Sequence, residues 1–381
     1  DWCAKNDVNI CDAEFGEELG GSRLNYGKLF VHTINILAET TYPYPAYGTN
    51  PCLTDPAVLD KVIQNVRKAL EENPKINIVS VSQNDFNGHC KCPNCRKIEE
   101  EDGTPAGPLI RFVNKVAENL EADYPPLTVD TLAYQYTQKT PAVTKPRHNV
   151  CIRLCSINCC FTHAINDPNC TKNKKFCEDI IAWGKICENI HIWDYTTNFA
   201  YYIPTYANLH VLQQNMQYFA EHNAKGMFPQ GNRNGPSGEF GELRAYLLSK
   251  LMMDPYMGEE KYYALMDEFL EAYYGDGWAY IRMYIDKTSE MYSDGCGNMY
   301  MHPFNRLPAE SFIEMQQTFN DWWAKAEAMA DEDRVENVRR SSLQWRWFLA
   351  RLDQSLQEAF VKEVAERGIW WSEGNQNNTR W

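Results

Sequence analysis

Positive charge is in short supply in this sequence relative to negative charge. Its 381 residues carry 37 Lys and Arg against 51 Asp and Glu, a formal net charge of −14. Nothing basic is clustered enough to neutralise phosphates, so nucleic acid, anionic membranes and other polyanions are not expected as partners. No apolar run reaches about 18 residues, and no segment is expected to span a bilayer. Low-complexity tracts are also missing. The chain opens on Asp1, Trp2 and Cys3 without an initiating Met, and reads as a mature or trimmed product.

Cysteine and aromatic residues are plentiful. Fourteen cysteines, an even number, suggest metal or redox chemistry in a cytosolic protein and disulfides in a secreted one. The triplets Asn169-Cys170-Thr171 and Asn377-Asn378-Thr379 match the N-glycosylation pattern and suit a secretory route. A secreted, disulfide-containing glycoprotein is therefore expected. Eleven Trp and 22 Tyr serve either a large core or platforms on which sugars stack, since both rings pair a flat apolar face with a polar edge.

From about residue 28 a pattern repeats: a short β-rich apolar run, a polar loop, a helical stretch. Strands are expected over 28–37, 76–83, 127–136, 149–156, 189–195 and 225–228. Helices are expected over 56–72, 108–122, 174–187, 209–222 and 239–253, the first opened by Thr54-Asp55-Pro56. Strands alternating with helices argue for parallel βαβ units, and six in a row favour a closed barrel. The expected fold is an α/β protein, a (β/α)8 TIM-type barrel over residues 1–255. The units still missing from a full barrel fall in residues 2–24 or are incomplete. Helices over 259–274, 278–292, 308–330 and 334–366 make a helical C-terminal segment, 256–366, before a tail over 367–381.

In such a barrel the functional groups project from the C-terminal ends of the strands. Those positions hold Gln83, Asn84 and Asp85; Tyr134 and Tyr136; Asn158; Trp193, Asp194 and Tyr195; and Gln230, with Glu239 just beyond. Apolar strands that finish in polar and aromatic residues place costly groups at a rim, and their recurrence on consecutive strands points to a ligand site. A second constellation is His89-Cys90-Lys91-Cys92-Pro93-Asn94-Cys95. His89, Cys90, Cys92 and Cys95 have the composition of a zinc site with three thiolates and one imidazole, but the spacing is tight and a second CxxC is missing, so disulfides are favoured there. The same holds for Cys151, Cys155, Cys159, Cys160, Cys170, Cys177 and Cys187. No cofactor or metal is therefore expected.

The string SVSQNDFNGHCKCPNC over residues 80–95 resembles a signature of glycoside hydrolase family 163 and of the wider uncharacterised domain family around it. Further pieces follow in the same order: His32-Thr33, Cys52-Leu53-Thr54-Asp55-Pro56, Thr131-Leu132-Ala133-Tyr134, Cys159-Cys160-Phe161-Thr162-His163, Ile192-Trp193-Asp194-Tyr195, and GEFGELRAY over 238–246. The resemblance covers roughly residues 28–290. It implies a (β/α)8 barrel and an endo-β-N-acetylglucosaminidase acting on the GlcNAc-GlcNAc core of N-glycans, retaining through substrate assistance. The expected partner is a glycan or glycoprotein.

Such chemistry needs an acid for the leaving oxygen and a group that orients the substrate's 2-acetamido arm. Asp85 or Glu239 is the expected acid, and Asn84 or Asp194 the orienting group. Gln83, Tyr134, Tyr136, Asn158, Trp193, Tyr195 and Gln230 are expected to bind substrate. Three departures oppose catalysis: Ala46, Asn158 and Pro229 stand where the resembling family carries acids. The alternative expectation is a catalytically silent relative, an extracellular glycan-binding or structural protein.

Overall fold

A computed structural model of the chain describes residues 24–40, 50–232 and 239–374. Ala46 and its neighbours, residues 2–23, the Asn377 sequon and residues 375–381 lie outside these. The chain divides into two compact units interleaved along the sequence. The first holds the described residues up to Cys155, with Glu178–Trp193 and His222–Met227. The second holds Ser156–Cys177, Asp194–Glu221 and the described residues from Phe228 onward.

Along the chain the described elements are α1 (Pro56–Glu72), β1 (Ile78–Ser80), α2 (Pro93–Asp102), α3 (Ala106–Glu121), β2 (Thr128–Ala133), β3 (Val150–Cys155), α4 (Thr171–Gly184), β4 (Ile190–Tyr195), α5 (Leu212–Glu221) and β5 (Ala224–Gln230). The helices α6 (Gly241–Met253), α7 (Glu259–Tyr274), α8 (Trp278–Met291), α9 (Ala309–Met329), α10 (Val335–Leu352) and α11 (Gln357–Glu366) follow. The five strands form one sheet in the order 1-2-3-4-5. β1 to β4 pair in parallel, with Val79 opposite Val129, Asp130 opposite Cys151, and Arg153 opposite His191.

Local signals explain these elements. Asp55 caps α1 by accepting from Ala57 N at 2.9 Å, with Pro56 in the first turn, where its missing N–H costs nothing. α3 buries Leu109, Phe112, Val113, Val116 and Leu120 at helical spacing and packs against β2 and β3. Each such side chain contributes about 1.5–3 kcal/mol. β3 is buried throughout, as a parallel strand covered on both faces must be. Its one charge, Arg153, pairs with Asp130 at 2.7 Å and lies over the rings of Phe30, Tyr26 and Trp193 at 4.5, 5.0 and 5.6 Å.

Two expectations fail locally. Residues 28–37 form no strand: Ile34–Leu37 is one helical turn, and His32 has φ 54, which interrupts any extended run. The segment still borders β1, because Ser80 N donates to Leu29 O at 2.9 Å and Ile34 N to Ser82 O at 3.1 Å. The loop expected before residue 108 contains a helix, α2, capped by Cys92 and closed by Gly103 at φ 65. The described residues thus contain a five-stranded sheet rather than eight strands.

In the second unit α8 packs against α7 and α9, and α9 against α10. Aromatic rings fill these contacts: Phe312 stacks on Phe348 at 4.0 Å, and Tyr284 meets Phe319 edge-on at 4.8 Å. Trp345 and Trp347 are fully buried there, and Trp183 in the first unit. Much of the aromatic content is therefore core. Among the described residues no helix is long and apolar enough to cross a membrane.

Candidate functional site

In the first unit the expected rim residues meet where β1 and β2 end. Gln83 is buried and donates from Nε2 to Thr137 Oγ1 at 2.6 Å, tying the two strand ends together. Asn84 donates from N and Nδ2 to Asn50 Oδ1 at 2.9 and 3.1 Å. Asn50 in turn donates to Gly88 O at 2.9 Å and to Tyr136 Oη at 3.0 Å. Asp85 is exposed, and its Oδ1 accepts from Tyr134 Oη at 2.8 Å. Gln135 Nε2 donates to the same phenol oxygen at 2.9 Å, from a residue held at φ 49. Such left-handed strain is kept only where the surroundings enforce it.

Burial, then the hydrogen bond to Asp85, pushes the Tyr134 phenol well above its usual range. It stays protonated and acts as a donor to the carboxylate. Tyr136 is stacked on His89 with ring centroids 4.7 Å apart. An open depression beside Asn84 is bordered by His32, Asn35, Ile36 and Phe86. Trp193 lies apart from this rim, against Phe30 and Arg153. The rim can offer a ligand an oriented carboxylate beside an amide, with aromatic edges close by.

The second unit holds the other carboxyls. Asp194 is buried and accepts from Ser156 Oγ at 2.5 Å. Burial pushes its carboxyl up from 3.8 to about 6, against the opposing bonds from Ser156 and the Tyr195 N–H. Glu239 is buried and ion-paired: Arg244 Nη2 donates to its Oε2 at 2.6 Å and Tyr206 N to its Oε1 at 3.4 Å. Arg244 Nε continues to Asn208 Oδ1 at 3.1 Å. Burial nevertheless outweighs these bonds and pushes the Glu239 carboxyl above its usual range. Asn158 is exposed. Tyr195 is buried among Phe161 and Phe199, and the Gln230 carbonyl accepts from Thr196 N at 2.9 Å.

The cysteines depart most from expectation. No two described cysteines are joined by a disulfide. In the first unit the sulfurs of Cys52, Cys90, Cys92 and Cys95 all lie within 4.8 Å of one another. His89, expected beside these thiols, instead turns its Nδ1 to Asn87 O at 3.3 Å and its Nε2 to Glu99 at 3.4 Å. Cys52 takes the fourth position. The hydrogen bond from Cys95 N, with Thr54 assisting, lowers the Cys92 thiol to about 6, whereas burial pushes Cys95 up to about 12. In the second unit Cys160, His163, Cys170 and Cys296 form a similar group within 4.8 Å. Burial opposes ionisation of Cys160, but bonds from Thr162, Gly297 and His163 outweigh it and bring that thiol to about 7. Sequence reasoning missed Cys52 and Cys296 because they lie far along the chain from the dense cysteine runs, and His163 because the run around it, Cys151 to Cys187, was read as disulfides.

The fold and rim define an α/β protein with polar residues at the ends of parallel strands. Residues 36–286, about two thirds of the chain, match the family described as a domain of unknown function, DUF4838, and the chain belongs to that family. Comparison with curated proteins gives no match. Among solved structures, a mutant of the Thermobaculum terrenum O-GlcNAc hydrolase is similar at 12% identity and TM-score 0.34, over 87% of this chain and 75% of that one. A GH138 enzyme targeting pectin rhamnogalacturonan II is similar at 12% identity and TM-score 0.30, over 77% of this chain and 48% of that one.

Proposed function

We propose that this chain is a glycosidase-like protein acting on β-linked N-acetylglucosamine, with its sheet part of a (β/α)8 barrel. The observation that carries this reading is the exposed Asp85 carboxylate, held by the Tyr134 phenol and adjacent to Asn84. An acetamido group presents one N–H and one carbonyl. A fixed carboxylate accepts the N–H, and the second Asn84 Nδ2 hydrogen, not used on Asn50, suits the carbonyl. In a substrate-assisted reaction that carbonyl oxygen attacks the anomeric carbon while the glycosidic C–O bond breaks and an acid protonates the leaving oxygen. A carboxylate on the amide N–H stabilises the positive charge that develops, and Asp85, expected from the sequence as the acid, takes that orienting role here. The resemblance to glycoside hydrolase family 163 over residues 80–95 supports the same substrate class.

The test is glycan release from a complex N-glycoprotein, read by mass spectrometry. The expected result is release by the wild type and its near-complete loss in Asp85→Asn. Tyr134→Phe removes one hydrogen bond to a charged group, about 1.5–3 kcal/mol, so kcat/KM should fall roughly tenfold to a hundredfold. Release that persists in Asp85→Asn would sink the assignment. The state of the other carboxyls favours a second reading: Glu239 is neutralised by Arg244 and Asp194 is shut from solvent. On that reading the protein is a silent glycan-binding relative. Binding of GlcNAc oligomers that Asp85→Ala weakens, with no release by the wild type, would establish it over the first.

A further inference from the structure

We propose that each unit holds one structural zinc ion: Cys52, Cys90, Cys92 and Cys95 as an all-thiolate site, and Cys160, His163, Cys170 and Cys296 as a site of three thiolates and one imidazole. Zinc–sulfur bonds of about 2.3 Å place the corners of a tetrahedron about 3.8 Å apart, whereas a disulfide brings two sulfurs to about 2.05 Å. In the first group Cys52 Sγ lies 3.7 Å from Cys92 Sγ and 3.8 Å from Cys95 Sγ. One sulfur at the same distance from two others matches a shared centre. Pairing in disulfides would pull one partner close and release the other.

The surroundings of the first group suit thiolates. Cys92 caps α2, and Cys95 N donates to its sulfur at 3.5 Å. Thr54 Oγ1 lies 3.3, 3.6 and 3.4 Å from the sulfurs of Cys52, Cys92 and Cys95. Hydrogen bonds of this kind hold metal ligands in place and temper their charge.

The second group rests on its own distances. Cys170 Sγ and Cys296 Sγ are 3.7 Å apart, and His163 Nδ1 lies 3.4 Å from Cys160 Sγ and 3.8 Å from Cys296 Sγ. A zinc–nitrogen bond of about 2.0 Å predicts an N···S edge of about 3.5 Å. His163 Nε2 bonds to the Ser293 carbonyl at 2.8 Å, which requires the proton on that nitrogen. The lone pair of Nδ1 is thereby directed to the three sulfurs. Gly297 N donates to Cys160 Sγ at 3.4 Å. Four protein ligands fill each tetrahedron and leave no open position for substrate, so both ions are structural.

The experiment is elemental analysis of the full chain purified without chelator, with intact mass measured under non-reducing conditions. The expected result is two zinc ions per chain and a mass showing no oxidised cysteine pair within the groups. Cys52→Ser and Cys296→Ser should each lose one ion and keep the other. Cobalt substitution of the wild type provides a reading that does not depend on a variant folding: two equivalents should give sulfur-to-cobalt charge-transfer bands and intense tetrahedral d–d bands. Metal-free protein with the group cysteines in disulfides overturns the proposal, and so does iron in place of zinc. One ion lost only with Cys52→Ser would leave the first site and refute the second.

Discussion

Replacing Asp194 by Asn should make the protein more stable at neutral pH and leave it unchanged in acid. The Asp194 carboxyl is buried, and in the folded chain it titrates at about 6 instead of 3.8 because burial disfavours its charge. A carboxyl raised on folding contributes stability that is fully present below its unfolded pKa and is lost as pH rises through the folded one. The window therefore runs from about pH 4 to about pH 6. A shift of about two units corresponds to about 3 kcal/mol lost across it. The amide that replaces the carboxyl would keep an oxygen to accept from Ser156 Oγ and would carry no charge at any pH in the window. Urea denaturation of both proteins at steps from about pH 3.5 to pH 7.5 reads the effect directly. The difference in unfolding free energy, variant minus wild type, should climb by about 3 kcal/mol towards neutral pH and level off above about 6.5. A difference that stays flat, or that falls with pH, would show that Asp194 is ionised without cost and would refute the reasoning.

Breaking the Glu239–Arg244 pair by Arg244→Met leaves a buried carboxylate uncompensated and should cost about 3–5 kcal/mol in chemical denaturation, with part recovered on adding Glu239→Gln. A methyl group at Gly277 would sit 2.6 Å from Ala326 Cα and from its carbonyl oxygen, so Gly277→Ala should destabilise by about 1–3 kcal/mol and lower the thermal midpoint. Gly258→Ala, where nothing lies within 4 Å, serves as the near-neutral control. Burial works against ionisation of Asp102, but bonds from Thr144 and Val143 and the charge of Arg111 outweigh it and hold the carboxyl below its usual range. Its contribution is present above the unfolded pKa and lost as pH falls through the folded one, so Asp102→Asn should remove that acid-side decline in a pH series of denaturation curves.

The strands β1 to β4 were legible because each is a short apolar run bounded by polar loops, and because a buried strand has little freedom to be anything else. By contrast, β5 holds no buried residue and was legible only from its place in the alternation. The C-terminal helices were legible for the complementary reason: long 3.6-residue periodicity with few breakers. The one long run expected over 334–366 is two helices, α10 and α11, parted where Asp353 accepts from Ser355 N at 2.9 Å. Residues 28–37 misled because alternation in LFVHTINIL satisfies a strand as readily as an irregular edge. His32 at φ 54 is a tertiary outcome that no local pattern records. At the rim, the order of polar residues placed Asn84, Asp85 and Tyr134 near one another. It could not distinguish an exposed Asp85 from a Gln83 consumed in tying two strands together.

The cysteines show where local reading gives out. Cys90, Cys92 and Cys95 announce themselves by proximity, and the adjacent His89 completes a ligand set on paper. Stacking on Tyr136 and the pull of Glu99 turn that imidazole away. The fourth sulfur arrives from Cys52, 40 residues upstream of Cys92, on the segment that opens α1. In the second unit the separation between Cys170 and Cys296 is 126 residues, and His163 is recruited by the Ser293 carbonyl that fixes its ring. A four-ligand metal site is one link that can join segments so far apart, and its binding free energy adds to folding. The same fact removes an argument from composition. An even count of fourteen cysteines speaks for an oxidising compartment only if the cysteines are paired, and eight ligands in two closed groups, seven of them thiols, need no pairing. The expectation of secretion then rests on the two glycosylation triplets, while the eight grouped residues are those the proposed zinc ions would hold.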